Sequence, residues 1–290
     1  MPRARTNPSL LVGGAISVTI IGVAVFAPWI TRWPVDQMDM AHRLAGPTAL
    51  HWLGTDNFGR DLWTRIALGA RISLATSISS VALAVVIGST VGIIAGYVGG
   101  WTDLLLMRVA DIFLGFPALL LALALLAVLG PGWENTVLAL TAAFWAEYAR
   151  VARSTVLTLR QAEYVIATRA IGATHVHVLS RAILPNAIGP IIVLATLGLG
   201  TAVVAESGLS FLGFGVPPPA PTWGWSLAYG TRYLRSAPWM ASIVGLAIMI
   251  TVLGFNLLGD GLRDWLDPRL QAQVSLRGAE RRSTPQKKTR

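Results

Sequence analysis

With 290 residues, 54% of them hydrophobic and only 13% charged, the chain is too apolar for a water-soluble fold, and a mean hydropathy of +0.61 makes lipid the solvent for much of it. The net charge of +9 does not imply a nucleic-acid partner, because the basic residues form no continuous face but sit between apolar segments and in the tail. Lysine occurs only at Lys287 and Lys288, which excludes a G-x-x-x-x-G-K-[ST] phosphate loop upstream, and the lack of cysteine excludes disulfides, thiolate nucleophiles and Cys-based zinc sites.

The first apolar run, Leu10 to Ile30, has roughly the 20 residues that a 30 Å hydrocarbon layer demands. It closes at Pro28 and Trp29 and lacks a small-residue cleavage signature, so it reads as a retained helix. Between Asp56 and Arg71, Phe58, Leu62 and Ile66 share one helical stripe with Arg60 and Arg65 elsewhere, the pattern either of an amphipathic helix at the outer interface or of a contact surface for a partner protein on that side. Ile72 to Tyr97 is an uncharged second span. In it Ala84, Gly88, Gly92 and Gly96 recur every fourth residue, a small-residue face on which another helix can pack closely. Val109 to Leu129 is the third span, with Asp111 near its start and Pro117 predicting a kink.

The fourth span is the least apolar. From Thr136 the run meets Glu147, Arg150 and Arg153 after about half the length needed to cross. A charge at mid-membrane costs about 2.5 to 3.5 kcal/mol on insertion scales, so these side chains must face protein, water or the interface. Helical spacing predicts the pairs Glu147 with Arg150 and Arg108 with Asp111. Ala187 to Ala205 is the fifth span, ending at Glu206, and Met240 to Leu258 the sixth, ending at Gly259 and Asp260. Six spans return both termini to one side. The N-terminus, the joint at Arg108, the stretch from Arg150 to Arg181 and the tail from Arg263 hold sixteen of the 23 Lys and Arg residues, which makes that side cytoplasmic. The fold class is therefore an all-α integral membrane protein with six transmembrane helices and cytoplasmic termini.

Three units follow. Residues 1–71 carry the first helix and an extracytoplasmic loop with its interfacial helix, 72–262 a five-helix core, and 263–290 a basic tail placed to lie against anionic lipid. Within the core, the cytoplasmic stretch 158–186 contains Glu163, Tyr164, Ala167, Thr168, Arg169, Ala170, Gly172 and Ala173, then Leu184 and Pro185. Its small residues predict a short helix with a low-profile face, suited to docking in a partner's groove. His175 and His177 are two apart and point to different helix faces, which argues against a metal site.

Ala167-Thr168, three residues, Gly172, and after eleven more Leu184-Pro185 resembles the cytoplasmic coupling motif of binding-protein-dependent ATP-binding-cassette importers. Ile166 stands where that motif has an acidic residue and Ala182 where it has isoleucine. Glu163-Tyr164-Val165 is similar to the oligopeptide/dipeptide/nickel branch. So are the motif from His51 through Asp56 to Gly59-Arg60-Asp61, Asp111 with Phe116-Pro117, and Tyr148 with Arg150 and Arg153. Glu206 to Gly213, Pro217-Pro218 to Trp223-Gly224, and Asn256 through Gly259-Asp260 and Arg263-Asp264 to Arg269 complete the order, and the ending resembles the C-type permease.

The resemblance implies a type I importer permease with no catalytic, cofactor or metal site of its own. Its partners would be a B-type permease, one fused or two separate ATPase subunits holding ATP and Mg, an extracytoplasmic solute-binding protein and membrane lipid, in the cytoplasmic membrane of a prokaryote. The coupling residues would be the ten just named from Glu163 to Pro185, with Glu206 and Asp111 the candidates for the translocation path. The cargo implied is a dipeptide or oligopeptide, the alternative being a nickel chelate or another small solute. A secondary transporter would need midplane ionisable residues and matching broken helices in two halves, and the acids here stand mainly at span ends. No H-E-x-x-H motif or convincing Ser/His/Asp constellation supports an intramembrane enzyme.

Overall fold

The computed structural model describes residues 7–266, and among them every regular element is helical. Ten α-helices run in chain order: α1 (Pro8–Ile30), α2 (Leu62–Val98), α3 (Gly100–Leu114), α4 (Ala118–Leu129), α5 (Trp133–Arg160), α6 (Glu163–Ala170), α7 (His175–His177), α8 (Leu184–Phe211), α9 (Trp223–Thr231) and α10 (Pro238–Leu266). A π-helical segment, Val178–Ile183, joins α7 to α8, so that His175–Phe211 is one helical rod. Four rods are long and apolar enough to cross a membrane: α1, α2, α7 with α8, and α10. The pair α3 and α4, bent by 87°, makes a fifth if it counts as one span. Helix α5 has the length, but Glu147, Arg150 and Arg153 keep it out of that class.

Two expectations need correction. The interfacial helix expected to end before residue 72 is the first part of α2, which runs unbroken from Leu62. Asp61 starts it as N-cap, its carboxylate accepting from the Thr64 N–H at 2.8 Å, and no helix breaker follows. The third span is not a kinked rod but two helices. Pro117 cannot donate an N–H, and Gly115 closes α3 by donating to Asp111 at 3.0 Å, so the chain turns sharply there. The last span also reaches beyond its expected end: Arg263 and Asp264 belong to α10, while the rest of the basic tail lies outside the described residues.

Packing follows the small residues. Gly88 and Gly92 of α2 lie so close to α5 that an added Cβ would strike the carbonyl oxygens of Trp145 and Ala149, which confirms the stripe. Helix α1 runs antiparallel to α10, with Gly13 against Leu257 and Leu258, and Gly261 against Leu10. The Asn7 amide donates to Asp264 at 2.9 Å, so the two ends of the described chain lie side by side. A core of Leu62, Ile66, Leu74, Val203, Val244 and Phe255 closes around Trp223, whose indole N–H donates to the Ile66 carbonyl at 3.0 Å.

The end of the bundle away from α6 is capped by residues 31–61, folded without long helices around buried charge. His51 is 5% exposed, pairs through Nδ1 with Asp61 at 2.9 Å and stacks on Trp33. Asp56 accepts from the N–H of Phe58 and of Arg60 and from the Arg60 guanidinium at 2.6 Å, with Arg65 Nε at 3.7 Å. Arg65 therefore points inward, 4% exposed, rather than toward an interface. At the rim, the His42 ring hydrogen-bonded to Asp39 holds that carboxyl below its ordinary value.

Candidate functional site

The segment singled out in the sequence forms an elbow at one end of the bundle. Arg160 finishes α5 by donating to the Gly96 and Tyr97 carbonyls at 2.8 and 3.1 Å, which ties α5 to the last turn of α2. After two linking residues α6 begins, with Glu163 in its first turn where an acid suits the helix dipole. Val165 is fully buried among Val156, Val178, Ala182 and Ile183 and anchors α6. Gly172 and Ala173 then close α6 by the two hydrogen bonds of a Schellman motif: Gly172 N–H to Arg169 O at 3.0 Å, and Ala173 N–H to Thr168 O at 3.3 Å. Gly172 has φ +84°, and nothing lies within 4 Å of where its Cβ would be. Glycine is needed here for its left-handed backbone, not for lack of room.

What the elbow leaves uncovered is apolar. Ile166 is 55% exposed and Ile171 85%, while Ala167, Arg169, Ala170 and Gly172 lie exposed between them. Tyr164 is half exposed, and Thr168 returns its hydroxyl to the Tyr164 carbonyl at 2.7 Å. Arg169 lies over the Tyr97 ring, and Tyr97 meets the His175 Nδ1 at 3.0 Å, so both arms of the elbow rest on the end of α2. Leu184 and Pro185 are not in a loop, since they open α8 directly from the π-helical turn. Pro185 has no N–H for the preceding turn, and the wider π geometry relieves that turn. Ile166 and Ile171 are large, exposed apolar side chains on this turn, and Glu163, Arg169 and Arg181 are exposed as well.

Between α3 and α5 lies a second polar feature. Arg153 grips Asp103 with two hydrogen bonds, 2.5 Å from Nε and 2.6 Å from Nη2, and Arg150 donates to Asp111 at 2.7 Å. The pairs expected within each helix do not form: Arg150 takes Asp111, and neither Glu147 nor Arg108 makes an ion pair among the described residues. The reason is the antiparallel contact of α3 with α5, which offers the arginines acids across the seam; Phe113 against Trp145 sets the same register. Sequence reasoning passed over Asp103. Its signal was the i, i+4, i+8 stripe Asp103, Met107, Asp111 on a short helix facing two arginines.

Glu206 sits apart from both. It is 0% exposed, and its Oε1 accepts from Ser210 at 2.8 Å while Oε2 has no partner. Gly224 of α9 lies tight against Ser207 and Ser210, its neighbours on α8, and the acid is buried within this chain.

The family model described as binding-protein-dependent transport system inner membrane component matches residues 88–272, well over half of the chain. The chain belongs to that family. A second model, the N-terminal TM domain of oligopeptide transport permease C, matches residues 2–47 of this family member. The dipeptide transport system permease protein DppC of Alkalihalophilus pseudofirmus is 44% identical over 268 residues, 92% of this chain and 88% of that protein. The oligopeptide transport system permease protein OppC of Bacillus subtilis is 41% identical over 271 residues, 93% and 89% of the two chains. The glutathione transport system permease protein GsiD of Pectobacterium atrosepticum is 40% identical, covering 89% and 86%. Among solved structures, the MetNI methionine ABC transporter in inward-facing conformations superposes with a TM-score of 0.58 at 21% identity, covering 70% of this chain and 96% of that one. The fold is thus that of an ABC importer permease.

Proposed function

We propose that this chain is a membrane-pore subunit of an ATP-driven peptide importer, moving dipeptides or oligopeptides by alternating access while partner ATPases supply the work. The single observation that carries the reading is the elbow: two exposed isoleucines on a helix closed by a left-handed glycine, seated on the ends of α2 and α5. Such a surface turns a push from outside the membrane into movement of the helices it rests on. The names of the relatives support peptide cargo.

In this reading α5 and the bent pair each cross once, which brings the crossings to six. The contact of Asn7 with Asp264 supports an even number, and the basic residues of the two termini and of the stretch from Arg160 to Arg181 support cytoplasmic termini. A B-type permease forms the other half of the pore, and ATP and Mg bind the ATPase partners. A solute-binding protein delivers cargo to the end capped by residues 31–61. The membrane is the cytoplasmic membrane of a prokaryote.

The test is co-expression with neighbouring subunits, gentle detergent purification and reconstitution. The expected result is co-purification of a nucleotide-hydrolysing subunit and uptake of tri-alanine that requires ATP and persists when an ionophore collapses the ion gradient. Uptake by this polypeptide alone, or uptake that falls with the gradient, refutes the reading.

A further inference from the structure

The seam between α3 and α5 stands at a depth where exposed charge requires an explanation. Trp101 is 77% exposed beside the end of α2, the position of an interfacial aromatic. Asp111 is ten residues further along α3, about 15 Å at 1.5 Å per residue and so about half of a 30 Å hydrocarbon layer. Arg150 and Asp111 are nevertheless 59% and 49% exposed. Side chains so charged and so open at that depth do not face acyl chains; they face water, a polar solute or the polar surface of a partner protein.

The two ion pairs of the seam differ in kind. Arg153 and Asp103 make a two-pronged, more enclosed bridge, 33% and 18% exposed, which holds α3 to α5. Arg150 and Asp111 share a single hydrogen bond, and Asp111 Oδ2 and the Arg108 guanidinium have none among the described residues. A recess of about 360 Å³ opens here, lined by Asp103, Arg108, Asp111 and Arg153 with Leu104 and Met107 between them. That volume falls in the range of small-molecule sites, which run to roughly 300–1,000 Å³. It presents a free carboxylate oxygen and a free guanidinium within one helical turn, beside the Asp103–Arg153 bridge and the apolar Leu104 and Met107.

We propose that this recess is a binding site on the translocation path for the charged termini of a peptide. The ammonium takes Asp111 and the carboxylate takes Arg108 and Arg150, opening the Asp111–Arg150 contact, while Asp103 and Arg153 keep the helices together. The solute exchanges one charge-assisted pair for two, so the site releases it without leaving an unpaired charge behind. A lipid headgroup would offer a phosphate to Arg108 but would have to reach mid-hydrocarbon depth to do so.

This inference rests on the peptide-importer reading, and the experiment separates the two. The chain has no cysteine, so Met107→Cys and Leu104→Cys each place a single thiol in the recess, and Val128→Cys, at an 86% exposed apolar position, is the control. The assembled transporter in proteoliposomes, with receptor and ATP, is treated with a charged, membrane-impermeant thiol reagent with and without tri-alanine. The expected result is modification of both recess thiols, slowed about tenfold by tri-alanine, with Val128→Cys unreactive. A parallel uptake series compares Asp111→Asn on tri-alanine and on N-acetyl-tri-alanine. KM should rise about tenfold for the free ammonium and stay unchanged for the acetylated peptide. Recess thiols that stay unreactive, or react without protection while wild-type vesicles import tri-alanine, overturn the site and leave the importer reading intact. An equal KM change for both peptides, or full rescue of uptake by exchanging the residues at 111 and 150, also overturns it, because it marks a purely structural bridge. Wild-type vesicles that import no tri-alanine overturn the peptide reading and this site with it.

Discussion

Replacing Gly172 tests whether the elbow transmits work through its shape. The residue has φ +84° and open space around its missing side chain, so a substitution meets no steric block and acts only on the backbone. Holding an ordinary L-residue there costs about 1–2 kcal/mol, whereas asparagine tolerates this conformation better. At 1.4 kcal/mol per factor of ten, Gly172→Val should reduce the population of the closed Schellman end by roughly 5- to 30-fold. The hydrogen bonds from Gly172 and Ala173 to Arg169 and Thr168 would open that much more often, and Ile171 would be held less firmly in position. Assembly in the membrane should persist, because Val165 keeps its buried anchorage. The assay is the ratio of tri-alanine imported to ATP hydrolysed in reconstituted vesicles. Gly172→Val should lower that ratio several-fold while Gly172→Asn stays near wild type. If valine leaves the ratio unchanged, or asparagine lowers it as much as valine, backbone shape at Gly172 is not what couples the elbow to transport.

Three further perturbations address the rest of the molecule. Gly92→Leu puts a side chain where the Ala149 carbonyl lies and should separate α2 from α5, seen as loss of detergent-stable complex in size-exclusion chromatography; Gly22→Leu, with nothing within 4 Å, should be silent. Asp56→Ala leaves Arg60 and Arg65 buried without their acid and should cost about 3–5 kcal/mol, read as a fall in thermal midpoint of the purified complex. Glu206→Gln keeps an acceptor for Ser210 and nearly the same volume, so it should fold as wild type, whereas Glu206→Ala leaves a cavity and should lower the midpoint by several degrees.

Lipid-facing length, small-residue spacing and the turn chemistry of the elbow were legible because each depends on local sequence. Leu10 to Ile30 is helical throughout α1, the Gly88 and Gly92 stripe meets α5, and Gly172 ends a short helix as its neighbours imply. What escaped depends on partners distant in sequence. Arg65 lay off the apolar stripe of the expected amphipathic helix, yet Asp56 and the fold of residues 31–61 draw it inward. Asp111 and Arg150 each had a local partner at helical spacing, and both were overridden by contact across α3 and α5. Glu206 ended an apolar run, but its burial, with Gly224 of α9 against the neighbouring Ser207 and Ser210, depends on a helix that hydropathy does not place.

These contacts define how a movement at the elbow would travel. Arg160 fastens the end of α5 to the last turn of α2, and the glycine stripe lets the two helices touch backbone to backbone above it. The bidentate grip of Arg153 on Asp103 adds α3 to the same body. A displacement delivered to Ile166 and Ile171 therefore carries α5, α2 and α3 together, because close-packed contacts transmit strain instead of absorbing it. Helix α4 is differently placed. It joins α3 through the 87° turn at Gly115 to Pro117, where helical hydrogen bonding is interrupted, and its Ala122 and Leu126 pack against Ala139, Leu140 and Ala143 of α5, so its angle is set by the turn and by that packing together. The exchangeable pair Arg150 and Asp111 lies only four residues before that turn. Opening it for a solute would loosen the restraint nearest the joint, and this would couple occupancy of the recess to the angle of α4. Spin labels on α4 and α5 should report this as a distance change between them on adding tri-alanine, and a distance that responds to ATP but never to the peptide would refute the link.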